Sequence, residues 1–482
     1  MSDVHAHDLR SINGRDDVWP LYQGTTTLGQ TSKTGLEVEL AFFDARTMVP
    51  MTVAQNGVLK TTANALLGGD FIRNEPTADM LEVGSIAETP DHLRRILDDS
   101  NSKITILTRE AAKIGLKRAY FQHLPDQTAS QLLQHLIAIP RYQAFFGPPR
   151  ADMIDIAAYF SVCKSNQVSV SYTDTDHLLN NIRILYALAP FLFLLTDNNP
   201  PFNEGQPFTG HAGMHHRSAL KERGGVPPYV YTAQTGEAYI RDHIAHVMDN
   251  PLFVYYNEAG DLVRLPSGTW TSFNALRAKG LNTATNYFFA QSILWPDVKI
   301  AALKDTDDHV TGHRFEARMF GVGLHQHQTA LLIVAALAYD PAFYEAVRVL
   351  LKTIGFDLSA PETLKTPLEA AYHSARHHNG QFLDIPYGSG QMRDFARSFG
   401  TLLSAASLLK DFQTECAPLL EICETGNTDS KINALSCDTL DKANTFQKLI
   451  DPVVLENPNQ NSANLFAKTL GKSTRTPLHC AS

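Results

Sequence analysis

The stretch Gly35-Leu36-Glu37-Val38-Glu39-Leu40-Ala41-Phe42-Phe43 decides the reading of this chain. Side chains alternate across a strand, so residues two apart share a face. Leu36, Val38 and Leu40 make one face apolar and therefore core. Glu37 and Glu39 share the opposite face, which must meet water or a metal. Two carboxylates held side by side repel unless something positive lies between them. From this pair alone, a solvated acidic edge is as good a reading as a site.

Two further segments repeat the arrangement. Met80-Leu-Glu82-Val83 and Arg314-Phe-Glu316-Ala-Arg318-Met-Phe320 each read as strands carrying an acid flanked by core residues. As neighbours in one sheet, these strands would gather their acids on its concave face. Converging carboxylate oxygens suit Mg²⁺, a hard cation that bridges readily to phosphates. Arg318 shares the face of Glu316. It is either an ion-pair partner or a clamp for a phosphoryl group. Asn166 to Tyr172 alternates as well and sets Gln167 and Ser169 on one face.

Working outward, Thr89 to Ile114 carries a helix start signal followed by apolar residues at helical spacing, and Asp174 to Leu195 reads as a strong capped helix. Further helices are expected over 239–247, over 324–351 with a break at Asp340-Pro341, and over 391–424; Pro251 to Tyr256 reads as a strand. Residues 197–236, rich in Asn, Pro, Gly and His, read as one long irregular stretch, a candidate cover for a site. Hairpin-like gaps are not evident, which favours an α+β chain over a doubly wound sheet. The expected division is a flexible lead-in over 1–34, a single catalytic domain over 35–425, and a C-terminal extension over 426–482 with a weak helix pattern near 438–450.

Composition excludes several classes. At 482 residues the chain can bury a large core without staples. Its 41 Lys plus Arg against 50 Asp plus Glu leave no general basic face for nucleic acid. Five scattered cysteines form no CxxC pair, which argues against a zinc ribbon and fits a reducing compartment. The polar N-terminus is no secretory signal. The best apolar run, Ile182 to Leu195, holds Arg183 and Pro190 and is short for a bilayer span. The expectation is a cytoplasmic protein with small-molecule partners, no nucleic acid and no membrane; an oligomer is left open. Neither the P-loop pattern nor a strand followed by G-x-G-x-x-G occurs.

With these segments in hand, the chain resembles the glutamate–cysteine ligases of the plant and proteobacterial type, within the glutamine-synthetase-like carboxylate–amine ligases. Gly35-Leu-Glu-Val-Glu39 is similar to the family's G-x-E-x-E strand, and Met80-Leu-Glu82-Val83 to its second acidic strand. Asn166-Gln-Val-Ser-Val-Ser-Tyr172 resembles its Q-V-N-L-D strand. Gly225 to Tyr231, Asp249 to Val254, Trp295-Pro-Asp-Val-Lys299 and Phe315-Glu-Ala-Arg318 match further segments in chain order, from about residue 35 to 425. Ser169 stands where the family has Asn or His, and the segment from His216 to Gly224 is shorter than its counterpart.

The resemblance implies a curved antiparallel sheet forming a funnel-like active site surrounded by helices. It implies an ATP- and Mg²⁺-dependent enzyme of glutathione biosynthesis. Such an enzyme phosphorylates the γ-carboxylate of glutamate, joins it to the amine of cysteine, and releases ADP and phosphate. It assigns Arg318 to the chemical step, Glu37, Glu39, Glu82, Glu316 and Gln167 to metal binding, and Ser169, Arg217 and Arg223 to substrate binding. Two alternatives stay open: a γ-glutamyl ligase using another amine, and a metallohydrolase built on His211, His215 and His216. The glycines and proline of 205–213 argue against a helix there.

Overall fold

The computed structural model of the chain describes residues 8–47, 49–148, 150–199, 202–378 and 382–426. Seven strands form one antiparallel sheet that curls into a half-barrel. They are β1 (Thr34–Asp44), β2 (Ile72–Asn74), β3 (Met80–Gly84), β4 (Leu116–Arg118), β5 (Asn166–Ser171), β6 (Val298–Lys304) and β7 (Val310–Phe320). The order is β6-β7-β5-β1-β3-β2, and β4 pairs with the end of β1.

Register explains why this sheet has two unlike faces, since residues directly opposite across antiparallel strands point the same way. Leu36 faces Val168, Val168 faces Ala317, and Ala317 faces Val298, all buried and apolar. One residue along, Lys299 faces Glu316 and Glu316 faces Ser169. Glu37 faces Gln167, while Glu39 faces Glu82, which faces Arg73. The two-residue period thus sorts a core face from a charged face over six strands, and a register slip of one residue in any of them would bury its charges.

Helices cover the apolar face: α1 (Leu93–Lys113), α2 (Thr175–Leu195) and α3 (Gln326–Tyr339). Asp174 caps α2, its Oδ1 accepting from His177 N at 2.8 Å. By length and composition α2 could cross a membrane, yet it is buried within the fold, with Phe191 packed edge-on against Phe395 and Phe399. α3 turns by 98° into α4 (Pro341–Thr353) at Asp340-Pro341, where proline at the first helical position and the Asp340 cap start a new helix. The expected helix over 391–424 divides into α5 (Met392–Ala405), a short 3₁₀ turn and α6 (Gln413–Thr425).

Several expectations are corrected. Residues 8–33 are no free lead-in: Ile12, Val18 and Tyr22 are buried, and the Tyr22 hydroxyl lies 3.0 Å from that of Tyr287. Hairpins are present, β6 with β7 and Val254–Tyr256 with Leu262–Arg264. Strands β2, β4 and β6 went unread because three-residue strands carry too little alternation and β6 ends in Lys304. Residues 202–236 fold into short helices, including Ala212–Arg217 and Tyr229–Thr232. The weak helix pattern at 438–450 lies outside the described residues.

Candidate active site

The charged face of the sheet floors a cavity of about 1480 Å³. Its other walls come from the helix Pro140–Phe146, from residues 256–262 and from 285–304. No described residue of 197–236 lines it, so the described part of that stretch does not cover it. Glu37, Glu39, Glu82, Glu316, Gln167, Ser169 and Arg318 all line this one cavity, as strand alternation requires.

Glu39 sits deepest. Its Oε2 accepts from Ser165 N at 2.6 Å, and its Oε1 accepts from Gln167 Nε2 at 2.6 Å. Gln167 Oε1 in turn accepts from Arg318 Nη1 at 2.6 Å, and the same nitrogen donates to Glu316 Oε1. Arg318 Nε is buried and has no hydrogen-bond partner among the described residues. A buried guanidinium N–H without an acceptor is costly, and a ligand oxygen would satisfy it.

Sequence reading passed over Glu75. It lies in the turn between β2 and β3, on no strand, so alternation gives it no weight. Glu39, Glu75 and Glu82 each bring a carboxylate oxygen to within 4.8 Å of the others. Among the described residues this is the one group of three acids, histidines or cysteines that converges so. Its signal in the sequence was Asn74-Glu75-Pro76: the residue before proline is held extended, continuing the direction of β2.

Electrostatics mark the trio as short of positive charge. Burial and then Glu39 push Glu75 well above the usual carboxylate range. Burial followed by Glu39 raises Glu82 against the pull of Arg73, and burial raises Glu39 despite Arg318 and the Ser165 bonds. Glu37 is pushed up to about 8 by burial, then by Glu82 and Glu316. Glu316 differs: burial would raise it, but Arg318, Arg314 and Lys299 together bring it to about 2. Lys299 is brought down to about 7 by burial and then by Arg318. An all-carboxylate donor set whose ionised form is disfavoured by burial and by mutual repulsion fits a hard divalent ion such as Mg²⁺.

A pH dependence follows. Glu39, Glu75 and Glu82 have folded-state values above their ordinary 4.5, so folding takes up protons and their contribution to stability falls as pH rises above that value. A bound cation expels those protons, so the rise in melting temperature on adding Mg²⁺ should grow as pH rises above their ordinary 4.5. Buried histidines such as His123 and His313 do not line the cavity, so their titration should cancel in the difference. Paired melts with and without Mg²⁺ check this; an effect equal or larger at acid pH contradicts it.

Arg217 and Arg223 stand outside the cavity. Arg217 Nε donates to Asp297 Oδ1 at 2.7 Å, Nη2 donates to the Trp295 carbonyl at 3.2 Å, and Nη1 reaches the Tyr159 hydroxyl. It is a buried brace under Trp295-Pro-Asp297 rather than a surface for substrate. Arg223 donates to the Pro251 carbonyl and lies 5.0 Å over the Trp270 ring. The histidines are likewise occupied. His211 caps the helix Ala212–Arg217, its Nδ1 accepting from Met214 N at 3.2 Å, and so helps start the helix that the glycines argued against. His216 Nε2 lies 3.1 Å from Asn203 Oδ1. These rings do not converge on a metal-sized space, and nothing in their geometry favours a hydrolase. Cys163 is buried against the cavity wall, its thiol pushed up to about 12 by burial.

No protein-family model matches the chain, and no curated protein matches its sequence. Among solved structures it is similar to the glutamate–cysteine ligase of Francisella tularensis in complex with AMP, at 12% identity over 91% of each chain with a TM-score of 0.48. It is also similar to a bifunctional glutathione synthetase from Pasteurella multocida, at 12% identity and a TM-score of 0.33, covering 83% of this chain and 56% of that one.

Proposed function

We propose that the chain is an ATP-dependent, ADP-forming carboxylate–amine ligase that activates the γ-carboxylate of glutamate and joins it to an amine, with cysteine the first acceptor to test. The observation that carries this reading is the pairing, in one cavity, of a converging carboxylate trio with a guanidinium whose Nε–H has no partner among the described residues. ATP, glutamate and the transferring phosphoryl group are all anionic, so a catalyst for this reaction must gather positive charge. Glu39, Glu75 and Glu82 would hold Mg²⁺, which when bound neutralises phosphate charge.

The chain's own residues supply the rest. A γ-carboxylate oxygen attacks the γ-phosphorus and ADP departs; the amine then attacks the acyl phosphate carbon and phosphate departs. Arg318 offers its unpartnered Nε–H to the phosphoryl oxygens as charge shifts. Gln167 and Glu316 fix that guanidinium from one side, so it is oriented before substrate arrives. Lys299, brought to about 7, can take the proton that the incoming amine must lose at neutral pH. The aromatic wall of Phe146, Phe160 and Trp295 keeps water from part of the cavity, which a water-sensitive acyl phosphate needs.

The test is ADP release with ATP and Mg²⁺, with glutamate present or absent, against a panel of amines headed by cysteine. The expected result is ADP release that needs glutamate and one amine class together. Release that ignores glutamate with every amine would overturn the donor assignment, and a best amine other than cysteine would reassign the acceptor alone.

A further inference from the structure

We propose that Arg314 is a built-in cation at one end of this site, occupying the seat between Glu37 and Glu316 and keeping a divalent ion out of it. The inference rests on the reading of the cavity as a cation-binding active site and concerns how many ions it takes.

Glu37 and Glu316 are the two acids of the floor that stand apart from the converging trio. They share one partner: Arg314 Nη2 lies 3.4 Å from Glu316 Oε2 and 3.7 Å from Glu37 Oε1. Arg314 Nε donates to Ser169 Oγ at 2.7 Å, and Ser169 Oγ lies 3.5 Å from the same Glu316 oxygen. Arg314 Nη1 donates to the Ala302 carbonyl at 3.0 Å, which ties the guanidinium to the neighbouring strand. Two carboxylates and a hydroxyl therefore surround a fixed positive group from three strands, β1, β5 and β7. Those three oxygen donors are the kind of set a hard divalent ion takes. Here a side chain fills the seat. The trio differs: among the described residues its one ion pair is with Arg73, at 3.7 Å from Glu82 Oε1.

A planar, permanently charged guanidinium suits such a seat because it neutralises two carboxylates at once and cannot leave as a metal ion can. Charge at this end is then independent of metal supply, and divalent ions are confined to the end carrying Glu39, Glu75 and Glu82.

Mn²⁺ titration of the nucleotide-free protein, with unbound ion read by electron paramagnetic resonance, tests this. Arg314→Met vacates the seat and should bind one more Mn²⁺ per chain than the parent, with the extra ion lost again when Glu37→Gln is added. Arg314→Lys should keep the parent's count. A count for Arg314→Met equal to the parent's overturns the proposal, and so does a change confined to the KM for an acidic substrate, which would make Arg314 a substrate-binding group. A parent that binds no Mn²⁺ while Arg314→Met gains one ion would sink the metal part of the functional reading and sustain this proposal. Should Arg314→Met fail to fold, Glu37→Gln in the parent decides: an unchanged count supports the built-in cation, and the loss of one ion overturns it.

Discussion

Arg318→Lys should lower steady-state ADP release about a hundredfold to a thousandfold while leaving the protein folded, the loss expected when one preorganised charge-stabilising donor is removed. Lysine keeps the charge but is a single point donor, whereas the guanidinium bonds Gln167 and Glu316 through one nitrogen and presents Nε–H elsewhere. A lysine ammonium can still pair with Glu316, so that carboxylate keeps a partner and the melting temperature should move little. The competing account makes Arg318 a scaffold whose only work is to neutralise Glu316. It expects the reverse: a lowered melting temperature with turnover per folded molecule within a fewfold of the parent. Measuring both quantities on the same preparation separates the two accounts, and the second outcome would remove Arg318 from the chemical step.

How much of this site the sequence displayed depends on whether a residue sits on a strand long enough to show alternation. Glu37 and Glu39 on β1, Glu82 on β3, Gln167 on β5 and Glu316 with Arg318 on β7 all obey the two-residue period, and each lines the cavity. Arg314 obeys it too, two residues before Glu316, but its partners Glu37 and Ser169 lie on other strands and appear only once register is known. Lys299 was visible as part of Trp295-Pro-Asp-Val-Lys299, yet its place opposite Glu316 again depends on pairing. Glu75 lies in a turn, where no period applies. Arg217 shows the opposite error. The resemblance assigns it to substrate, and nothing local reveals that Asp297, eighty residues on, already pairs with it. The composition of 197–236 reads as irregular although short helices form there, because elements this short carry no periodicity, and composition does not say which surface a segment covers.

Asp79→Ala should be among the most destabilising single changes to the chain, costing about 3–5 kcal/mol, the usual loss when one partner of a buried ion pair is removed. Lys164 Nζ lies 2.9 Å from Asp79 Oδ2, with side-chain exposures of 0% and 1%. Without Asp79 the ammonium keeps only the Ser161 and Val162 carbonyls, at 3.4 and 3.2 Å, and has no counter-charge. The damage should also reach the site, because the pair joins the starts of two site-bearing strands. Asp79 directly precedes β3, which carries Glu82, and its carbonyl accepts from Phe42 N of β1. Lys164 directly precedes Ser165, whose backbone N–H holds Glu39. The pair therefore acts as a clip beneath the carboxylate trio, and loosening it should weaken Mg²⁺ binding as well as folding. Adding Lys164→Met to Asp79→Ala removes the orphaned charge and should recover a large part of the stability, because what destabilises the single variant is the unpaired ammonium rather than the missing bond. Denaturant unfolding of the two variants measures this. If the double variant is as unstable as the single one, the loss comes from packing around Asp79, and the ion pair is not what holds the two strand starts together.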